Sequence, residues 1–560
     1  MKKVLFFAAA AAMMAACSNS DELEGLQVQE NNQETPVNFD VYAGKAATRS
    51  GLPGGYDATE SYGLTTKTLQ TGRHAAAGFG VFGFYTSNSE YDTNSSTPNF
   101  MYNQQVKYND TKTSWTYEPV KYWPNEFGNA AVSDDVDHVT YFAYAPWQKV
   151  TVNTGVPVLP DFSATSTDPA KAFLDDYLGA LTDNKVAELL GYADYAAMET
   201  ALGGAAAATA AVSEFKTAQE TALKERMSDQ KLNITQMTRN TATGDPVIKY
   251  VVDMHPNSSV DLLWGVAADS NFKGIKDKDG NPTSTVKAGD PYIDLTKQGD
   301  VAGKVKWNFK HALARLNVQI CTVVDKPTPG AGTIEIGTEG NGKDVDNATK
   351  VWLRSIKFTN GFAQKAALNL NSDPVVAAST ATDAERVTAA LPKWLDYDGS
   401  SELAFEDVIL FDGLKDGKEG TANNLQKSEV PTGINPILTQ TKNTNSGVPI
   451  KLTNLFDGAL TANDPIFVIP DPNQTEEMFI TVDYDIETAD KRLSTKLSDN
   501  VTFGSAITNV ITKGTGLTIK PGYAYVVKIY LGIESVKFDV DVQPWIVATD
   551  GTEVELPANE

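Results

Sequence analysis

Two cysteines, four histidines and 71 carboxylates are the groups in this 560-residue chain best suited to do chemistry. One of them has a recognisable setting. Lys2 and Lys3 form a positive start, and Val4 to Ala12 form an apolar run too short to span a bilayer as a helix. Met14-Ala15-Ala16 then leads into Cys17. Small residues before a cysteine suit a lipoprotein peptidase, which needs narrow side chains beside the cut. The Cys17 thiol would take a diacylglycerol and its freed amine a third acyl chain. Two or more chains anchor a protein stably in a membrane where one does not. Residues 1–16 are therefore expected to be a cleaved signal peptide, and Cys17 to join the precursor to membrane lipid.

Other spacings that could carry chemistry fail on their residues. Gly337-Thr338-Glu339-Gly340-Asn341-Gly342-Lys343 has phosphate-loop spacing, but Asp344 follows where Ser or Thr should hold Mg²⁺. A carboxylate there repels phosphate. Asp277-Lys278-Asp279-Gly280-Asn281-Pro282 begins like a calcium loop, yet Pro282 stands where Gly is needed and Ala288 where Glu should close it. His74, His138, His255 and His311 are not at metal-ligand spacing. No Gly-x-Ser-x-Gly elbow is present. Cys321 sits in an apolar strand-like run, the setting of a buried thiol. No carboxylate pair stands out as a glycosidase would require. The expectation is a protein with no catalytic residues, no metal and no cofactor.

The charge narrows the partners. With 47 basic and 71 acidic residues the net charge is −24, which disfavours nucleic acid and anionic membrane surfaces. Once Cys17 is acylated, Cys321 has no intrachain partner, so stability must come from a large core.

The elements that must position any functional surface are mostly strands. Residues 18–36 are polar and acidic and read as a tether. Val37, Phe39, Val41 and Ala43 then share one face of a half-buried strand. Short strand-like runs between turn residues recur from Phe79 to Val266 and again from Val305 to Val542, as in a β-sandwich. Between them, residues 168–229 have a helical period, with Phe173, Tyr177, Leu178 and Leu181 on one face. This stretch predicts two or three helices inserted in the first β-domain. A boundary is expected near 303. Asp550-Gly551 is a hairpin signal, followed by Val554 and Leu556.

Several strings resemble the fimbrillins, the pilus-subunit family of Bacteroidales. Trp115-Thr116-Tyr117 with Lys121-Tyr122-Trp123-Pro124 resembles their W-x-Y…Y-W-P signature. Tyr141 to Pro146, Asp261 to Gly265, Phe309 to Leu316, and Pro521-Gly522-Tyr523 with Val536 to Trp545 resemble later segments in the same order. The acidic Ser-Asn-Ser-Asp-Glu run after Cys17 is similar to the surface-export signal of Bacteroidetes lipoproteins.

The resemblance implies two tandem transthyretin-like β-sandwich domains, residues 50–303 and 304–560, with the helical insertion in the first. It implies that residues 17–49 are a propeptide and that an Arg-specific protease cuts between Arg49 and Ser50, in a small-residue, turn-rich stretch. The strand bearing Val37, Phe39, Val41 and Ala43 would leave, and a strand from another copy or a related pilin would replace it. The segment from Ile546 through Val554 to Leu556 is the candidate donor. Residues 1–49 hold 4 basic and 6 acidic residues, so the remainder keeps 43 against 65, a net charge of −22 that favours a soluble filament. The expected location is the outer-membrane surface and then a fimbria, with a host or bacterial receptor no residue identifies. The rival is a glycan-binding surface lipoprotein, for which Trp147 or Trp394 would be the platforms.

Overall fold

The computed structural model describes residues 36–41, 69–70, 75–87, 89–124, 137–190, 192–229, 234–252, 260–270, 286–295, 304–324, 350–360, 362–399, 403, 405, 407–412, 440–442, 453–454, 466–470, 478–487, 501–511, 519–532 and 536–544. Strands β1 (Asn38–Val41), β2 (Phe79–Ser87), β3 (Met101–Asn109), β4 (Ser114–Thr116) and β5 (His138–Ala145) precede four helices. These are α1 (Pro169–Ala180), α2 (Asp183–Leu189), α3 (Tyr195–Leu202) and α4 (Ala205–Asp229). Then come β6 (Ile234–Met237), β7 (Val247–Val251), β8 (Leu263–Ala267), β9 (Tyr292–Leu295) and β10 (Lys304–His311). They are followed by β11 (Ala314–Val324), β12 (Lys350–Thr359), β13 (Phe362–Ala363), β14 (Lys365–Asn369), α5 (Asp383–Ala389) and β15 (Lys393–Leu395). Eight more described strands lie between Val408 and Pro544, and the protein is mostly β.

The largest sheet has the order β1-β10-β8-β5-β2-β3-β4, with β9 also on β5. Its central strands are apolar on both sides because both sides are covered. All eight residues of β5 are buried. On one face Phe82, Phe84, Phe142, Tyr144, Trp264 and Val266 meet Ile248, Tyr250, Leu368 and Trp394 of a second sheet, ordered β15-β14-β7-β6. On the other, Val81, Tyr141, Ala143, Val305, Trp307 and Phe309 enclose a separate aromatic core. The period of two thus divides each strand between two cores. Gly265 makes room for the Trp307 side chain of the neighbouring strand in the same sheet: a Cβ there would stand 2.7 Å from the Trp307 ring.

The helices start where capping side chains allow. Asp168 accepts from the Ala170 N–H ahead of α1, with Pro169 in the first turn. Thr182 and Asp194 cap α2 and α3 in the same way. Gly203, at φ 84°, ends α3 in the left-handed conformation. These extra starts explain why the described helices between 169 and 229 number four rather than the two or three expected. Phe173, Tyr177 and Met198 carry α1 and α3 onto the core shared with β7 and β14. The helical stretch lies between β5 and β8, two strands paired in one sheet.

The division expected at 303 does not follow the sheets. Strand β10, just beyond it, pairs with β8 and β1 in the first sheet. Further along, β14 pairs with β7, and β15 with β14. The chain therefore returns to the first half after β11 and β12 have entered other sheets. Helix α5 secures that return. Arg386 donates to both carboxylate oxygens of Asp290 and to the Ala288 carbonyl. Lys310 of β10 donates to the carbonyls of Val387, Thr388 and Ala390 at the helix end. The signal for this return was absent from local periodicity, since strand pairing depends on burial by distant segments.

Candidate functional site

Three of the residues assigned to the removable strand come together in one seat. Val37, Phe39 and Val41 are buried, while Pro36, Asn38 and Asp40 between them are half-buried. Strand β1 runs parallel to β10, with Phe39 opposite Val305 and Val41 opposite Trp307. It is the terminal strand of the sheet, so its other edge is held by a different segment. Pro36 bridges Tyr122 antiparallel, and the Val37 N–H donates to the Lys121 carbonyl at 2.9 Å. A strand only four residues long is thereby pinned on both sides at its start.

The floor of the seat is aromatic. The Phe39 ring lies 5.4 Å from Tyr117, 5.8 Å from Tyr141 and 6.3 Å from Phe79, all centroid distances. Two of these contacts are edge-on, the arrangement ring quadrupoles prefer. Burial pushes the Tyr117 hydroxyl up to about 12, so it stays protonated near neutral pH. It donates to the Val37 carbonyl at 2.7 Å. The same oxygen is 3.3 Å from the Lys121 N–H, from which it accepts. Tyr117 therefore ties β1 to the chain on its far side.

The contacts of the seat are apolar surface, ring edges and main-chain hydrogen bonds, which hold an extended segment. Among the described residues no group of three or more His, Cys, Asp or Glu is placed to hold a metal ion. His311 is tied up inside: its Nδ1 lies 2.6 Å from a carboxylate oxygen of buried Asp261. The indole N–H groups of Trp147 and Trp394 donate to the carbonyls of Asn103 and Ala312, so both rings are fastened inward. Among the described residues no helix is long and apolar enough to cross a membrane.

Cys17, Ala43, Arg49 and Ser50 lie outside the described residues, as do the donor candidates Ile546, Val554 and Leu556. The same holds for the phosphate-loop-like and calcium-loop-like strings at 337–343 and 277–282. Cys321 is on β11, opposite Tyr530. Two parts of the seat were not singled out from sequence. Tyr117 carried a motif signal but no sign of bonding β1, and β10 was assigned to the second domain. The alternation of Val305, Trp307 and Phe309 was the available clue that β10 lines an aromatic core.

No family model matches the chain. Over 150 residues, 26% of its length, it is 32% identical to the fimbrium subunit Fim1C of Phocaeicola vulgatus. The match spans 31% of that protein. A fimbrial protein from Bacteroides vulgatus aligns with a TM-score of 0.40 and 17% identity, covering 91% of this chain and 99% of its own. A candidate cell adhesion protein from Bacteroides uniformis aligns at a TM-score of 0.29 and 9% identity, covering 91% and 98%. Over that matched segment, about a third of the relative's length, the chain is similar to a fimbrium subunit.

Proposed function

We propose that this chain is a structural, non-enzymatic subunit of a cell-surface fimbria, made as a lipoprotein and polymerised by strand exchange into the seat of β1. Cys17 carries it to the outer membrane, and cleavage after Arg49 separates the lipid from the body. The observation that carries this reading is the seat itself. A four-residue terminal strand fills an aromatic slot and is followed within a few residues by a turn-rich stretch containing Arg49. Burying the side chains of Val37, Phe39 and Val41 stabilises the intact chain by roughly 5–9 kcal/mol at most. A released seat offers that free energy to a strand from another copy. A head-to-tail contact of this kind does not close, so it propagates a filament. Two tandem transthyretin-like units, with the helices as an insertion in the first, suit such a subunit. The glycan-binding alternative finds its two platform tryptophans fastened to the core.

Low-dose treatment with an Arg-specific protease, which spares the nearby Lys45, tests the reading. The expected result is an early cut at Arg49, read by intact mass, followed by high-molecular-weight ladders. Arg49→Ala should remain whole and monomeric. A cut protein that stays monomeric at high concentration overturns polymerisation by this route. Intact mass of surface-extracted protein should show a chain beginning at Ser50 in the assembled fraction and a lipidated one beginning at Cys17 in the precursor.

A further inference from the structure

The segment facing β1 has an uncovered outer side. Trp123 is buried and Tyr117 is buried, but Tyr122 is 44% exposed and Val120 46% exposed with β1 in place. Tyr122 bridges Pro36, so these two side chains share the solvent face, and exposed Val120 stands two residues before Tyr122 in the same irregular segment. Lys121, between them, lies with its Nζ 6.0 Å from the Phe100 ring centroid. On β1 the outward residues near this rim are Pro36 and Asn38, with Asp40 beyond. Asn38 donates to the Pro36 carbonyl, and Asp40 accepts from the Val41 N–H, both within the strand. The resident strand thus fills the inner pocket and leaves the rim uncovered.

We propose that Val120 and Tyr122 are a specificity rim that takes an apolar side chain on the solvent face of a strand from a second copy of this chain. The proposal rests on the strand-exchange reading and supplies its driving force. A strand that only reproduces the inner contacts of β1 replaces it without net gain. One that also covers Tyr122 and Val120 removes more apolar surface from water, favouring it by about tenfold. The rim is continuous with the seat, so one strand engages both. The candidate donor begins Ile546-Val547 after Trp545, and consecutive apolar residues in a strand place one on each face.

The test uses full-length protein cut at Arg49, with fluorescent peptides displacing the resident fragment. One peptide has the sequence of residues 36–43, and the other carries Asn38→Leu. The leucine peptide is expected to displace at about tenfold lower concentration, and this advantage should vanish in a Val120→Ser, Tyr122→Ser variant. Because both positions are exposed, that variant should melt as the parent does. Its cut form should also polymerise about tenfold more slowly. Equal displacement by both peptides, or retention of the advantage in the variant, overturns the rim. If the advantage holds but cut parent protein never polymerises, the strand-exchange reading fails while the rim stands as a strand-binding surface. If neither peptide enters, both fail.

Discussion

The Tyr117 hydroxyl donates to the Val37 carbonyl at 2.7 Å, joining residues 80 positions apart. The bond reaches a backbone atom, so it would serve any strand in the seat whatever its side chains. Tyr117 also contacts the Phe39 ring, which gives one residue both a polar and an apolar hold on β1.

Tyr117→Phe keeps the ring and removes the hydroxyl. The Val37 carbonyl then loses this donor in a buried setting, a cost of about 1–3 kcal/mol. Urea unfolding should show that loss. In the protein cut at Arg49, the fragment bearing β1 should dissociate faster, as read by labelled-peptide exchange. An unchanged exchange rate would show that Tyr117 does not hold the strand.

Phe39→Ala should empty the centre of the seat. A truncated buried phenylalanine costs about 3–5 kcal/mol. Because the loss is confined to β1 and its neighbours, its expected sign is early release of β1. Hydrogen exchange at β1 amides should rise more than at β5 or β8. Uncut Phe39→Ala should also bind a labelled 36–43 peptide that the uncut parent excludes.

Gly265→Ala tests the seat from beneath. The added methyl would lie 2.7 Å from the Trp307 ring and 3.2 Å from the Ala143 Cβ. Trp307 is opposite Val41, so the ring must shift toward the end of β1. Overpacking of this kind costs about 1–3 kcal/mol. A lower melting temperature together with faster β1 exchange is the expected pair. A normal exchange rate would place the strain elsewhere.

Lys310 predicts a pH dependence. Burial pushes its ammonium down to about 7, from an unfolded value of 10.5. Between those values the unfolded chain holds more protons than the folded one, so this group's contribution to stability rises with pH across that window. The penalty is fully present below about pH 7. Denaturant unfolding from pH 6.5 to 9.5 should show a steeper rise in stability for the parent than for Lys310→Met. Parallel curves would mean that the carbonyls of Val387, Thr388 and Ala390 hold the ammonium charged throughout. The absolute stability of Lys310→Met should fall because those carbonyls lose their donor.

The amino-acid sequence by itself determined what is local. The alternation of Val37, Phe39 and Val41 is a property of neighbouring residues, and it names the buried face of β1 whichever strand it meets. Asp168-Pro169 and Gly203 mark helix ends by capping chemistry that acts within one turn. Only the tertiary structure decided the partners. Nothing near Phe39 says that Val305 will lie beside it in parallel, or that Tyr117 will reach Val37 from the other edge. Nothing near Leu368 says that β14 will return to β7. Strand pairing across such distances is set by which apolar faces can be buried together once the loops have closed, and that is a property of the whole chain. The exposure of Tyr122 beside the burial of Trp123 is decided the same way: both are aromatic in sequence, and only the seat separates an inner residue from a rim.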